Sequence, residues 1–312
     1  MSLCLVTGGA GFIGSHVVRR LLERGKRVRV LDDFSTGHRH NLSEVERRIE
    51  LVEGDLCNAE TVDRCTKGVE IVFHIGARAS VPRSVKQPRQ AHDVNITGSF
   101  NVLLAAKENG VRRVVYSASS SAYGDTPVLP KVESMSPSPR SPYAVSKLVP
   151  EYYGRVFSQV YGLECVSLRY FNVFGPRQDP NNAYAAVIPA FVSRMLRGER
   201  PIIFGDGEQS RDFCFIDNVV QANMLAAEAP GVQGETVNIA CGQQTTLNQI
   251  VEMLNKLLGT SLSPEHQEPR AGDVKHSLAD LREAKRVIGY EPKIFFAEGL
   301  ERAIDWYKRT AT

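Results

Sequence analysis

No apolar run in this 312-residue sequence is long enough to cross a bilayer, and no signal-like stretch precedes Leu3-Cys-Leu-Val6. No basic block stands out either. Lys and Arg total 38 against 35 Asp and Glu, mixed along the chain, for a net charge of +3. Neither nucleic acid nor a membrane is therefore an indicated partner. The six cysteines (Cys4, Cys57, Cys65, Cys165, Cys214 and Cys241) show no paired or metal-type spacing. Buried free thiols are expected from them, and no metal site. There is no internal repeat, low-complexity tract or obvious flexible linker. The expected compartment is a reducing cytoplasm, and the length allows one large domain or one large and one small.

What is present begins with a short apolar strand, Leu3-Cys-Leu-Val-Thr7, running straight into Gly8-Gly-Ala-Gly11-Phe-Ile-Gly14. A helix follows, with Val17, Val18, Leu21 and Leu22 inward and Gly25 as its stop, and a second strand ends on Asp32-Asp33. Glycines at this spacing allow a tight turn and close backbone approach, and the helix amino terminus takes a pyrophosphate. An acid at the end of strand two accepts hydrogen bonds from a ribose 2′-hydroxyl and repels a 2′-phosphate, so Asp32 points to NAD rather than NADP. Phe34-Ser35-Thr36-Gly37 suits the adenosine ribose. Asp55, at the tip of a third strand, either accepts from adenine or is simply a solvated strand end. His74 closes a fourth strand and reads as structural. The loop Ile75 to Ser84 is expected to lie across the cofactor, with Arg83 reaching a phosphate or water.

An amphipathic helix is expected over Asp93 to Gly110, with Asn95 near its start fixing the cofactor loops. Strand five delivers Ser117 to Ser121 at its carboxyl end, where open parallel sheets bind ligands. A helix from Tyr143 to about Gly162 carries Tyr143 and Lys147, four residues apart and hence on one face. An ammonium beside a phenol favours phenolate and gives a base that works near neutral pH. After strand six, Glu164 to Tyr170, the strand–helix alternation loosens. The fold expected is α/β: a Rossmann-type doubly wound parallel sheet over residues 1–170, with a smaller α/β substrate domain over 171–312 and some exchange of chain between them. Arg211 and Arg270 suit a phosphate-bearing substrate or form surface salt bridges.

The set Thr7-Gly-Gly-Ala-Gly-Phe-Ile-Gly14, Asp32, Ser119, Tyr143-x-x-x-Lys147 and Arg169-Tyr-Phe-Asn-Val-Phe-Gly175 resembles the extended short-chain dehydrogenases that act on nucleotide sugars. Within these it resembles the NAD-dependent UDP-hexose 4-epimerases. The runs Ser80-Val-Pro-Arg-Ser84, Tyr184-Ala-Ala-Val-Ile-Pro189 and Ser210-Arg-Asp-Phe-Cys214 are most similar to bacterial UDP-N-acetylglucosamine 4-epimerases. The resemblance implies Tyr143 as base, Lys147 as its electrostatic partner and ribose ligand, and Ser119 as the hydroxyl sharing the proton. It places the pyrophosphate on the Phe12 and Ile13 amides, the adenine ribose on Asp32 and the adenine on Asp55 and Leu56. The implied cofactor surface also takes in Gly8, Gly11, Gly14, Asp33, Ser35, Thr36, Gly37, Ile75, Ala77, Asn95, Ser117, Tyr170 and Phe171.

For the UDP-sugar, the resemblance implies Asn172 on the pyrophosphate side, Ile202 and Phe204 at uracil, Arg211 and Arg270 on the diphosphate, and Asp273 at the ribose. Ser80, Arg83, Ser120, Ser121, Ala186 and Val187 complete the implied pocket. Ser277 stands where members restricted to plain hexoses carry a Tyr, which implies room for an N-acetyl group. Dehydratases and decarboxylases of this fold place acids where this chain has Ser120 and Ser121, so neither activity is expected. A UDP-glucuronate 4-epimerase is the competing enzyme reading, and a non-catalytic NAD-binding regulator the competing non-enzyme one. A homodimer through the helices at Asp93 and Tyr143 is a further implication.

Overall fold

Strand β1 (Leu3–Thr7) is buried along its whole length because it has a neighbour on each side and helices on both faces. In this computed structural model, which describes residues 2–179, 187–268 and 275–310, β1 pairs with β2 (Arg27–Asp32) and β4 (Ile71–His74). Four further pairings complete a seven-stranded sheet, all of it parallel. With β3 (Glu50–Glu53), β5 (Arg113–Ser119), β6 (Glu164–Tyr170) and β7 (Glu235–Ile239), its order is β7-β6-β5-β4-β1-β2-β3. The order reverses between β1 and β4, which opens a crevice at their carboxyl ends.

Helix α1 (Phe12–Glu23) packs on one face of the sheet together with α5 (Ile216–Glu228), sharing the core that holds Val17, Val18, Leu21, Val219 and Val220. The other face carries α2 (Ala59–Thr66), α3 (Gly98–Glu108) and α4 (Pro142–Tyr161), around Val62, Val102, Leu103 and Phe157. Among the described residues, six short strands of two or three residues each form separate pairs. Ile202–Phe204 lies parallel to Glu265–Gln267, and Ser210–Arg211 antiparallel to Thr245–Thr246.

The seventh strand, β7, comes from the carboxyl-terminal half, so a cut at residue 170 would separate it from the other six strands of the sheet. In its sequence, Glu-Thr-Val-Asn-Ile, Glu235 and Thr236 are partly exposed at the edge, while Asn238 is buried with its side chain bonded to Tyr123 and to the Lys131 carbonyl. Ser210 to Asp217 holds two two-residue strands, and Ile216 and Asp217 already belong to α5. The expected loop up to Ser84 contains a helix, Val81–Lys86, capped by Ser80 and started by Pro82; a further helical stretch, Pro88–His92, leads into a π-helical turn at Asp93–Thr97.

Candidate active site

Gly8 turns the chain out of β1 with φ +67°, and a Cβ there would lie 2.6 Å from Gly76 Cα. A Cβ on Gly14 would lie 2.0 Å from the Gly8 carbonyl oxygen. Both positions therefore admit only glycine without rearrangement. Gly11 is the N-cap of α1 and supplies no capping side chain, so the first amides of the helix point outward uncapped. These amides open onto a cleft of about 340 Å³, lined by Gly8, Gly11–Gly14, Asp32, Asp33, Thr36, Gly37, Asp55, Leu56, Ile75–Ser80 and Arg83. Buried Asp32 takes the Ala10 amide on one oxygen (2.8 Å) and the Phe34 amide on the other (2.9 Å). Each oxygen keeps a lone pair for a ligand hydroxyl.

The catalytic candidates converge from β5 and α4. Ser141 caps α4 by accepting from the Ala144 amide (3.1 Å), and Pro142 occupies its first position. Ser119, the last residue of β5, accepts from the Ser121 amide (3.2 Å) and the Ser121 hydroxyl (2.9 Å). With both lone pairs engaged, its own proton is left to donate, and its influence on Tyr143 favours the phenolate. That polarity lowers the Tyr143 pKa, while burial raises it more.

The Lys147 ammonium lies 4.6 Å from the centroid of the Tyr116 ring, and burial brings its own pKa down to about 7. The nearby anion, Glu151, is committed to Arg169 through bonds of 2.7–3.2 Å. With its pKa at about 7, the lysine is about half protonated at neutral pH.

Asn95 bonds its side chain to the Arg78 amide (2.7 Å) and to Ser146 Oγ (2.9 Å), and Ser146 donates to the Tyr143 carbonyl (2.8 Å). It thus ties the cofactor loop to the catalytic helix. Ser117 and Asn223 both bond the Tyr170 hydroxyl, and Phe171 is fully buried; Ser117, Tyr170 and Phe171, expected at the cofactor, are not in the lining of this cleft. Ser35 turns toward Asp33, bonding it through both amide and hydroxyl.

On the substrate side, Asn172 Nδ2 donates to the Asp212 carbonyl (3.1 Å) and to Ser277 Oγ (3.2 Å), bringing two expected substrate residues together. Arg211 donates to the carbonyls of Ser210 and Lys275. Ile202, Phe204 and Val187 are half-buried. Ala186, Arg270 and Asp273 lie outside the described residues.

Several residues here went unrecognised in the sequence. Arg78 lines the cleft and pairs with Asp33 at 2.8 Å. Asn41 holds the Ala10 carbonyl at 2.9 Å, and His38, Arg177, Gln178 and Asp179 form a further stretch of wall. Asp212 accepts from the amides of Cys241, Gly242 and Ala279. Burial pushes its pKa up to about 6 against those donors. A buried acid flanked by Arg211 and Phe213 in the sequence was the available signal for it.

Residues 4–240 match the model of the NAD dependent epimerase/dehydratase family. A UDP-glucose 4-epimerase of Mycolicibacterium smegmatis is 37% identical over 308 residues, covering 97% of this chain and 98% of that one. Among solved structures, a UDP-N-acetylglucosamine 4-epimerase from Methanobrevibacter ruminantium, in complex with UDP-N-acetylmuramic acid, is 40% identical. It superposes with a TM-score of 0.95 over 99% of both chains. A UDP-glucose 4-epimerase from Thermotoga maritima, with UDP-glucose, gives 41% identity and a TM-score of 0.95 over 99% of this chain and 100% of that one.

Proposed function

The chain belongs to the NAD-dependent epimerase/dehydratase family, and on that premise we propose that it is a UDP-sugar 4-epimerase interconverting UDP-GlcNAc and UDP-GalNAc, with UDP-glucose and UDP-galactose as further substrates. The observation that carries the reading is the convergence of Ser119, at the carboxyl end of β5, on Tyr143, whose pKa it lowers, with Lys147 one helical turn further along the same helix.

NAD fits the residues present: a turn where added Cβ atoms would collide, uncapped helix amides, and two adjacent acids at the end of β2. When bound, NAD supplies the hydride acceptor and donor that inversion at C4 needs, so none is consumed over a cycle. Gly11 to Ile13 would hold its pyrophosphate and Asp32 its adenine ribose. Tyr143 takes the proton of the sugar 4-hydroxyl, with Ser119 stabilising the phenolate by donating to it. The 4-keto sugar, held by its UDP portion, then turns over, and Tyr143 returns the proton to the same oxygen. Ser277 is the small residue that leaves space beside C2. Its hydroxyl accepts from Asn172 Nδ2.

The outer face of α4 exposes Val145, Tyr152, Val156, Val160 and Tyr161, most of them a helical turn apart. This stripe supports a homodimer through α4 and the neighbouring α3.

The purified protein, incubated without added cofactor with UDP-GalNAc, UDP-galactose and UDP-galacturonate in parallel, is expected to convert the first two, read at C4 by proton NMR. Conversion of the uronate alone would replace this reading with a UDP-glucuronate 4-epimerase. No conversion of any of the three after NAD is supplied would refute the epimerase assignment.

A further inference from the structure

Part of the wall of the cofactor cleft is built by the chain after β6. Residues 175–179 are held there from three directions. His16 of α1 donates to the Pro176 carbonyl (2.9 Å), the Tyr307 hydroxyl bonds the Gly175 and Gln178 carbonyls (3.4 and 3.3 Å), and His38 lies 3.5 Å from Asp179. In the middle stands Arg177 with φ +66°, a backbone region that a residue with a side chain rarely occupies unless its surroundings compel it.

Arg177 lines the same cleft as Gly11 to Gly14. Its guanidinium is 3.7 Å from Glu44, but that carboxylate is largely exposed and already bonded by Arg19 at 2.9 Å. Two guanidiniums thus share one carboxylate, leaving one positive charge over. Burial and Arg19 both pull the Arg177 pKa down, which marks its charge as under-compensated. Next to it, Gln178 Oε1 is buried with no hydrogen-bond partner among the described residues. Excess positive charge facing uncapped helix amides is an arrangement that an anion completes.

We propose that Arg177 is a ligand of the cofactor's phosphates, delivered by the second half of the chain, and that the 175–179 turn is the clasp that keeps NAD bound through the cycle. The inference rests on the retained-NAD reading above. Both the cofactor and a UDP-sugar carry a diphosphate; the place of Arg177 in the α1 cleft assigns it to the cofactor.

The test measures loss of NAD from the purified full-length protein after rapid desalting into excess labelled NAD, alongside UDP affinity by calorimetry. R177Q is expected to release NAD about tenfold to a hundredfold faster than wild type, the factor that one charge-assisted hydrogen bond carries. R177K, which keeps the charge without the fork, is expected in between, and it carries the comparison if R177Q melts well below wild type. E44Q breaks the Glu44 pair but spares the guanidinium, so it is expected to retain NAD at least as well as wild type.

Equal loss from E44Q and R177Q would overturn the proposal by making the ion pair merely structural. An R177Q variant that holds NAD like wild type, or that weakens UDP instead, would overturn it too. Free loss of NAD from wild type would refute the retained-cofactor reading and the clasp with it, a result distinct from wild-type retention with an unaffected R177Q.

Discussion

The Thr7 hydroxyl lies 2.7 Å from His74 Nδ1, and the direction of every proton around that contact follows from its neighbours. Thr7 Oγ1 accepts from the amides of Ile75 (3.2 Å) and Gly76 (3.1 Å), so its own proton goes to Nδ1. His74 Nε2 then carries the ring proton and donates it to Ser99 Oγ (2.8 Å), which donates to the Asn95 carbonyl (2.6 Å). The ring is neutral, in the Nε2–H form. Burial brings its pKa down to about 3 from 6.5. His16, which donates to Pro176, is lowered to about 4 by burial.

A pH dependence of stability follows. Below about pH 6.5 the unfolded chain protonates these histidines while the folded chain does not, so it binds more protons. Stability is then full above 6.5 and falls as pH drops toward 3–4, with a slope of about 1.4 kcal/mol per unit for each histidine. Melting curves between pH 7 and 4.5 should show the decline, with a shallower slope for His74→Gln than for wild type. Equal slopes in the two proteins would show that His74 is not one of the groups responsible.

Tyr143→Phe removes the acid–base oxygen and leaves the ring. Epimerisation is expected to fall by about 10²–10⁴-fold, the range a positioned proton-transfer group supplies. NAD content and melting temperature should stay near wild type, since the Tyr143 amide and carbonyl contacts to Ser84 and Ser146 are main-chain. Near-normal turnover measured by NMR would exclude Tyr143 as the base.

At position 277 the expected effect is selective. Ser277→Tyr should lower kcat/KM on UDP-GlcNAc and UDP-GalNAc at least tenfold more than on the plain hexoses. The substitution also breaks the contacts of Ser277 Oγ with Asn172 and the Asp212 amide, so Ser277→Ala serves as the control for them. If both substrate types fall equally in the Tyr variant, the gate is elsewhere.

The glycine turn predicts an order. Gly14→Ala forces a Cβ to 2.0 Å from Gly8 O, whereas at Gly11, which has φ −76°, the same contact is 3.2 Å. Gly14→Ala should cost about 1–3 kcal/mol, as overpacking does, and lose bound NAD. Gly11→Ala should be milder in both thermal melts and cofactor content. The reverse order would mean that the turn relaxes where it looks most crowded.

For assembly, Val156→Glu places a charge in the middle of the exposed stripe on α4. Sedimentation velocity is expected to show a dimer for wild type and a monomer for this variant. A wild-type monomer at micromolar concentration would remove the interface.

Local chemistry made much of this legible in the sequence. β1, β6 and the Leu247–Leu258 helix lie where apolar runs and caps put them, the last with a full capping box between Thr246 and Gln249. Ser119, Tyr143 and Lys147 were readable because fixed spacings on a strand and a helix carry over directly into space. The seventh strand was not, because Glu235 and Thr236 mask its period and its partner lies about 70 residues earlier. Arg177 and Asp212 escaped for a related reason: each matters through groups that meet it only after folding. The charge state of Lys147 depends on burial and on Glu151 being engaged by Arg169, neither of which spacing reveals.

The Asp212 carboxylate gathers amides from the stretch after β7 and from Ala279, while its main chain meets Asn172 and Ser277. In evolutionary terms this makes it a toll point for specificity. Three separate segments are fastened to one residue, so a change in any of them must keep its return to it. Divergence in substrate choice should therefore concentrate between these anchoring amides, and seldom at them.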